Sequence, residues 1–442
     1  MTIASIVLIV VLTFLLLSKK HDKITTYLVL LVFFELYANA GLLVEIGSVD
    51  ILNSDLLWMI LLTLGVHHSV FVQQNKKEFI LLCILFLGII CNILFESFTT
   101  INIRSILVGI RFLGAVIILN FIFSREREGS IIPELSKRIV TTQIIYFSIL
   151  AIEFIVKNFL HITTWNEAVS IVFGKSLHQV TWNVQRAGMA SLQGLCKEPS
   201  HLAIGLFISG LLDLLIEEID CRAKKLFWIS IGILLISGSL SSILYISCLL
   251  LAYVLKTNVS VGKMIAVIVV ASVFLVLYLF GDRIPLIEYY FKRIFNIGFY
   301  MNNNISMYTS EGQRLNSIIQ SLSDFGNNLI FGTGLGSNVR TGAIPSLLAA
   351  GGCIVFVPYA SAILKKQCFK SKTKGVLWIM MVASIFAMDM GILHSVSLGL
   401  IIMYTVYWGG GVILSRVKNR ISPSTQHHLV FVQYGALGGE VW

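Results

Sequence analysis

The sequence predicts an all-α polytopic integral membrane protein of about 13 transmembrane helices, with two long extracytoplasmic loops that contain short helices. Three observations lead there. The 442 residues are 56% hydrophobic and only 13% charged, with a mean hydropathy of +0.86, whereas soluble chains carry roughly 25% charged residues. Apolar runs long enough to cross a bilayer recur along most of the chain. The basic residues gather on alternate connections between those runs.

A spanning helix needs about 20 apolar residues. Runs of that kind lie near 3–18, 25–44, 55–72, 79–95, 105–123, 139–160 and 200–216. Further ones lie near 226–239, 242–255, 264–281, 344–364, 375–390 and 395–415. The pair at 226–239 and 242–255 is short and flanks the small-residue stretch Ser237–Ser242, which predicts a tight helical hairpin. No positive charge precedes the first run and Lys19, Lys20 and Lys23 follow it, so it reads as a retained span rather than a cleaved signal.

Orientation follows from the charges. Lys76/Lys77, Arg125/Arg127/Lys137/Arg138, Arg222/Lys224/Lys225, Lys256/Lys263, Lys365–Lys374 and Arg416/Lys418/Arg420 all follow odd-numbered runs. Basic loops stay in the cytoplasm, which places the N-terminus outside and the C-terminus inside. A single membrane domain then covers 1–421, and 422–442 form a cytoplasmic tail. The net charge of +10 belongs to those loops and implies no nucleic acid partner. Seven scattered cysteines, with no CxxC or Cys/His cluster, make neither a disulfide framework nor a zinc site.

Two loops are left outside, about 161–199 and 282–343. Long loops in a compact chain are usually functional or disordered, and both of these carry ordered-looking apolar runs: Ala168–Phe173 in the first, Ile287–Phe299 in the second. Trp165, Trp182 and the aromatics of the second loop serve either as interfacial anchors or as sugar-stacking platforms. The second loop also holds an amphipathic stretch near 312–325 that includes Arg314, then Gly332, Gly334 and Gly336 in alternation. Such glycines either turn backbone N–H groups toward an anion or form a flexible turn before the next span. No strand precedes them and the third-glycine spacing of a dinucleotide loop is missing.

The first loop ends Arg186-Ala187-Gly188-Met189, then Lys197-Glu198-Pro199-Ser200-His201. Pro199 suits a first helical position, and the helix it opens presents free N–H groups outward, where Lys197 and Arg186 add positive charge. Glu198 is then either a plain helix-end carboxylate or a base. His394, before the last run, shares that outer face with Arg186, Glu198, His201, Arg314 and Arg340. Inside the runs, Glu35, Arg111, Glu153, Asp213 and Asp389 should face the protein interior, with Glu35–Arg111 one candidate pair.

Glu198-Pro199-Ser200 opening a span, the Ser237–Ser242 turn, and Arg314 upstream of Gly332-Thr333-Gly334-Leu335-Gly336 together resemble bacterial O-antigen polymerases of the Wzy type and, more distantly, O-antigen ligases, over roughly residues 140–415. The resemblance implies a GT-C-like fold in the bacterial inner membrane and a glycosyltransferase that needs no metal, nucleotide or other cofactor. Its donor would be a glycan on undecaprenyl pyrophosphate, moved en bloc at the periplasmic face onto an undecaprenyl-pyrophosphate-linked repeat unit. Membrane lipid, a chain-length regulator and a flippase of the same pathway would be its partners. Catalytic residues would be Glu198, Arg314, Arg186 and His394; Lys197, His201, Arg340, Gly332, Gly334 and Gly336 would bind substrate. The ligase pattern of a histidine, a polar residue and a glycine about ten positions on begins at His394-Ser395 but meets Thr405, which favours polymerase. Ligation to lipid A core is the alternative within the family. A lipid-linked oligosaccharide transporter is the alternative outside it, although internal repeats are absent from the sequence and midplane charges are few.

Overall fold

Hydrocarbon offers no partners to backbone N–H and C=O groups, so a chain of long apolar runs closes its hydrogen bonds within helices. The structure, a computed structural model, describes residues 2–17, 23–38, 42–46, 49–67, 76–96, 103–126, 131–162, 164–173, 185–186, 189–196, 198–237, 240–256, 310–336, 342–364, 374–386, 393, 398–402 and 404. Over these the chain is overwhelmingly helical.

Helix α1 is Ile3–Leu17 and α2 is Lys23–Val32, which runs on into a π-helical turn, Phe33–Tyr37. A short antiparallel hairpin follows, β1 Leu42–Ile46 and β2 Val49–Leu52, with Ile46 opposite Val49. Then come α3 Asn53–His67, α4 Lys76–Glu96, α5 Ile103–Glu126 and α6 Ile131–Asn158. The first long loop contains α7, Trp165–Phe173, and a two-residue ladder, β3 Gln185–Arg186 with β4 Met189–Ala190. Beyond it lie α8 Pro199–Ile216, α9 Arg222–Ile236 and α10 Leu240–Lys256. The second loop contributes α11 Ser310–Asn327, followed by α12 Ala343–Leu364 and α13 Lys374–Phe386.

Four of these helices are long and apolar enough to cross a membrane: Ile103–Asn120, Ile132–Asn158, Pro199–Ile216 and Ala343–Ile363. Shorter apolar helices cover Ile3–Thr13, Thr25–Tyr37, Phe79–Leu94, Ser241–Lys256 and Gly375–Ile385. The chain is therefore an α-helical membrane protein. The run expected near 264–281 lies outside the described residues, as does most of the one near 395–415.

The core is built around α8. It is 83% buried, against 39% for the long α6, because α9, α10, α6 and the π turn all pack on it. Ser237 Oγ and Ser242 Oγ lie 2.8 Å apart at the α9–α10 connection, where the small-residue hairpin was expected. Two expectations are corrected. The span near 25–44 stops at Tyr37, and its last residues join the hairpin. Arg111 of α5 reaches Asp55 at the start of α3, with Nε to Oδ1 at 2.7 Å, rather than Glu35. Glu35 accepts a hydrogen bond of 2.7 Å from Trp58 Nε1. The exchange has a simple geometric cause: α3 packs along α5, and Asp55 is the carboxylate that this packing brings to the guanidinium.

Candidate functional site

The first candidate region is the entrance to α8. Pro199 is the first helical residue, as its fixed φ suits. Glu198 is the N-cap, in extended backbone (φ −147°, ψ 158°), and its carbonyl accepts from His201 N at 3.0 Å and Leu202 N at 3.2 Å. Its side chain makes no capping bond to the helix. The carboxylate is exposed and, among the described residues, accepts only a local bond of 3.0 Å from Ser200 Oγ. Helix capping thus engages the backbone of Glu198 and leaves its side chain presented at the surface. His201 is half-buried three residues on.

The loop that delivers Glu198 is fixed from below. Residues 191–196 are all buried. Glu153, fully buried near the end of α6, accepts from Gln193 N at 3.1 Å and Gly194 N at 2.7 Å. Lys157, one turn further along α6, donates to the same carboxylate at 2.5 Å. Asn158 brackets Ala190, accepting from its N–H at 2.9 Å and donating to its carbonyl at 3.4 Å. Cys196 Sγ lies 3.5 Å from the carbonyl of Tyr37, whose ring stacks on Tyr146 of α6 at 4.4 Å. Gly194 sits at φ +62°, and a Cβ there would approach Tyr146 Oη to 2.3 Å, so this bend requires glycine. The last two turns of α6 and the π turn of 33–37 therefore form a rigid seat for the Glu198 loop. Among the residues expected here, Arg186 lies in β3, paired with Met189 of β4. Lys197 lies outside the described residues.

The second candidate region is the glycine run. Its amides face protein. Gly332 N donates to Asn328 O (2.9 Å), Thr333 N to Ala349 O (2.8 Å), Gly334 N to Ala350 O (2.9 Å) and Leu335 N to Asn92 Oδ1 (3.0 Å). The same Asn92, buried in α4, donates through Nδ2 to Phe331 O (2.5 Å) and Ala350 O (3.0 Å). An anion nest formed by Gly332 and Gly334 is thereby corrected, since their N–H groups already have protein acceptors. What the glycines supply is close approach. Helix α12 breaks at Gly352 (φ 60°, ψ −172°), a conformation essentially restricted to glycine. Across the break, Cys353 N and Ile354 N donate to Leu329 O and Ile330 O at 2.8 and 3.1 Å. A Cβ on Gly332 would come within 2.6 Å of Gly352 N, and one on Gly352 within 2.5 Å of Gly332 N. Gly336, at the end of the run, is buried.

Arg314 falls in α11, as the amphipathic pattern predicts, and α11 packs along α12. Arg340 and His394 lie outside the described residues. The Glu198 region rests on α6, the π turn and α8; the glycine run rests on α4 and the broken α12. Helix α5 packs against α4, α6 and α12 and so links the two supports.

Three buried polar groupings went unread in the sequence: Glu153–Lys157 with the 193–194 amides, Asn92 with the glycine run, and Gln143 with Asp213. The first had a signal, since opposite charges four residues apart on one helix are neighbours. Asn92 stands alone in an apolar run and gave none. No family model, no curated protein and no solved structure matches this chain.

Proposed function

We propose that this chain is an O-antigen-type polysaccharide polymerase. On this reading it is a GT-C-like protein of about 13 spans in the bacterial inner membrane, with its N-terminus and its site at the periplasmic face. The observation that carries the reading is Glu198, an exposed carboxylate at the N-terminus of the most buried of the four long apolar helices among the described residues, free of any capping bond and set on a loop clamped by Glu153.

The chemistry follows from those residue types. A hydroxyl on the non-reducing sugar of the acceptor repeat attacks the anomeric carbon of the donor glycan. The bond from that carbon to the pyrophosphate oxygen breaks, undecaprenyl pyrophosphate leaves, and the hydroxyl proton passes to Glu198, with His394 the alternative base. General base catalysis is worth roughly 10²–10⁴-fold. Negative charge grows on the departing pyrophosphate, and Arg186 and Arg314 oppose it, seconded by Arg340 and Lys197, because the guanidinium fork matches phosphate oxygens. The isoprenoid tails lie in the apolar surface between helices. The flippase of the pathway delivers the repeat unit and a chain-length regulator sets when growth stops.

The test is release of undecaprenyl pyrophosphate by the purified chain in liposomes supplied with lipid-linked repeat unit. Glu198→Ala should slow release roughly 10²–10⁴-fold and Arg314→Ala by about 10²–10³-fold, both in protein that melts with the wild type. Full activity in both variants would remove these residues from the reaction.

A further inference from the structure

Gln143 of α6 and Asp213 of α8 are both completely buried. Gln143 Nε2 donates to Asp213 Oδ2 at 2.7 Å. Each residue keeps one further oxygen, Gln143 Oε1 and Asp213 Oδ1, and neither oxygen has a hydrogen-bond partner among the described residues. Both are acceptors if Asp213 is ionised. A buried carboxylate normally has a cation or several donors. Among the described residues this one has a single amide N–H. Its ionisable neighbours are Tyr37, whose hydroxyl is bonded to Ser209 one turn earlier on α8, and Glu217 one turn later, itself paired with Lys256 of α10. Neither supplies a compensating positive charge at Asp213.

The two residues lie at matching depth. Asp213 is 14 residues into α8 from Pro199 and Gln143 is 15 residues back along α6 from Asn158, about 21 and 22 Å at 1.5 Å per residue. That is far from the Glu198 end of α8 and independent of the polymerase reading.

We propose that Asp213 and Gln143 form a proton-binding site within the helix bundle, in which Asp213 is held as a neutral carboxylic acid. One proton taken up from water onto Oδ1 makes that oxygen a donor, and its O–H can close onto Gln143 Oε1. Acid and amide then form a ring of two hydrogen bonds, Nε2–H to Oδ2 and Oδ1–H to Oε1. A single added proton satisfies both orphaned atoms and removes the need for a counter-ion. The pair acts as a polar link between α6 and α8 that carries no net charge.

The measurement is infrared spectroscopy of the full-length protein in lipid at neutral pH, with aspartate labelled by carbon-13 at the side-chain carboxyl. A protonated-carboxyl C=O band that shifts with the label and disappears in Asp213→Asn is the expected result. Absence of such a band in the folded wild type overturns the proposal, and this reading needs no variant to fold. Thermal unfolding gives a second arm. Asp213→Asn should melt with the wild type, because the asparagine N–H replaces the acid O–H, whereas Asp213→Ala should melt lower. Asp213→Asn melting as low as Asp213→Ala, together with a wild-type melting point higher in sodium than in choline buffer, would contradict a proton site and indicate a bound metal cation.

Discussion

Lys157 donates to a carboxylate that already receives two loop amides, and both members of the ion pair are buried. Removing one partner of a buried pair leaves an uncompensated charge and costs about 3–5 kcal/mol. Lys157→Ala should therefore lower stability by about that amount in denaturant titrations, whereas Glu153→Leu combined with Lys157→Met should recover only part of the loss, because it removes the stranded charge but leaves the Gln193 and Gly194 amides without their acceptor. A Lys157→Ala protein as stable as the wild type would mean that the pair holds nothing in place. At this scale the sequence was readable where local geometry decides. Glu198-Pro199 could be placed at a helix start because the φ of proline is fixed. The partner of Arg111 could not be placed, because Glu35 and Asp55 are both carboxylates and only the packing of α3 on α5 brings one of them within reach.

The broken α12 is sensitive to a single methyl group at its kink. Its kink, the glycine run and Asn92 are one hydrogen-bonded unit. A Cβ at Gly352 would lie 2.3 Å from Ile330 O as well as occupying a glycine-only region of backbone space. Gly352→Ala should cost at least about 1–3 kcal/mol from backbone strain alone, read as a lower melting temperature, and an unchanged melting temperature would argue against the kink. Most helix bounds were legible from apolar length, α8 and α12 to within a residue. Helix α6 starts about eight residues earlier than its apolar run, at Ile131, because Pro133 is tolerated in a first turn. The hairpin at 42–52 carries a turn signal, Gly47-Ser48 between two runs that contain Val and Ile, but it lies within and beside apolar stretches long enough to read as spans. The break in α12 was missed for a similar reason, since Gly351-Gly352 sits inside a continuous apolar run and its cause is the distant glycine loop.

For the molecule as a whole, apolar runs specify an α-helical membrane protein, and the charges between them underlie the proposed orientation. Cys221 is exposed in the connection between α8 and α9, beside Arg222, whose guanidinium bonds to Asp220 and holds that carboxyl below the usual range. The proposed orientation puts this connection in the cytoplasm. A chain retaining Cys221 and lacking its six other cysteines should resist a membrane-impermeant thiol reagent in intact spheroplasts and react in inverted vesicles; the opposite pattern would invert the topology and move Glu198 to the wrong side for lipid-linked glycan. The central claim is tested most directly by supplying the purified chain in liposomes with a single undecaprenyl-pyrophosphate-linked repeat unit, without metal or nucleotide, and resolving the products on a gel. The account predicts a ladder of multimers that lengthens with time. A folded protein that leaves the single repeat unit unchanged would contradict it.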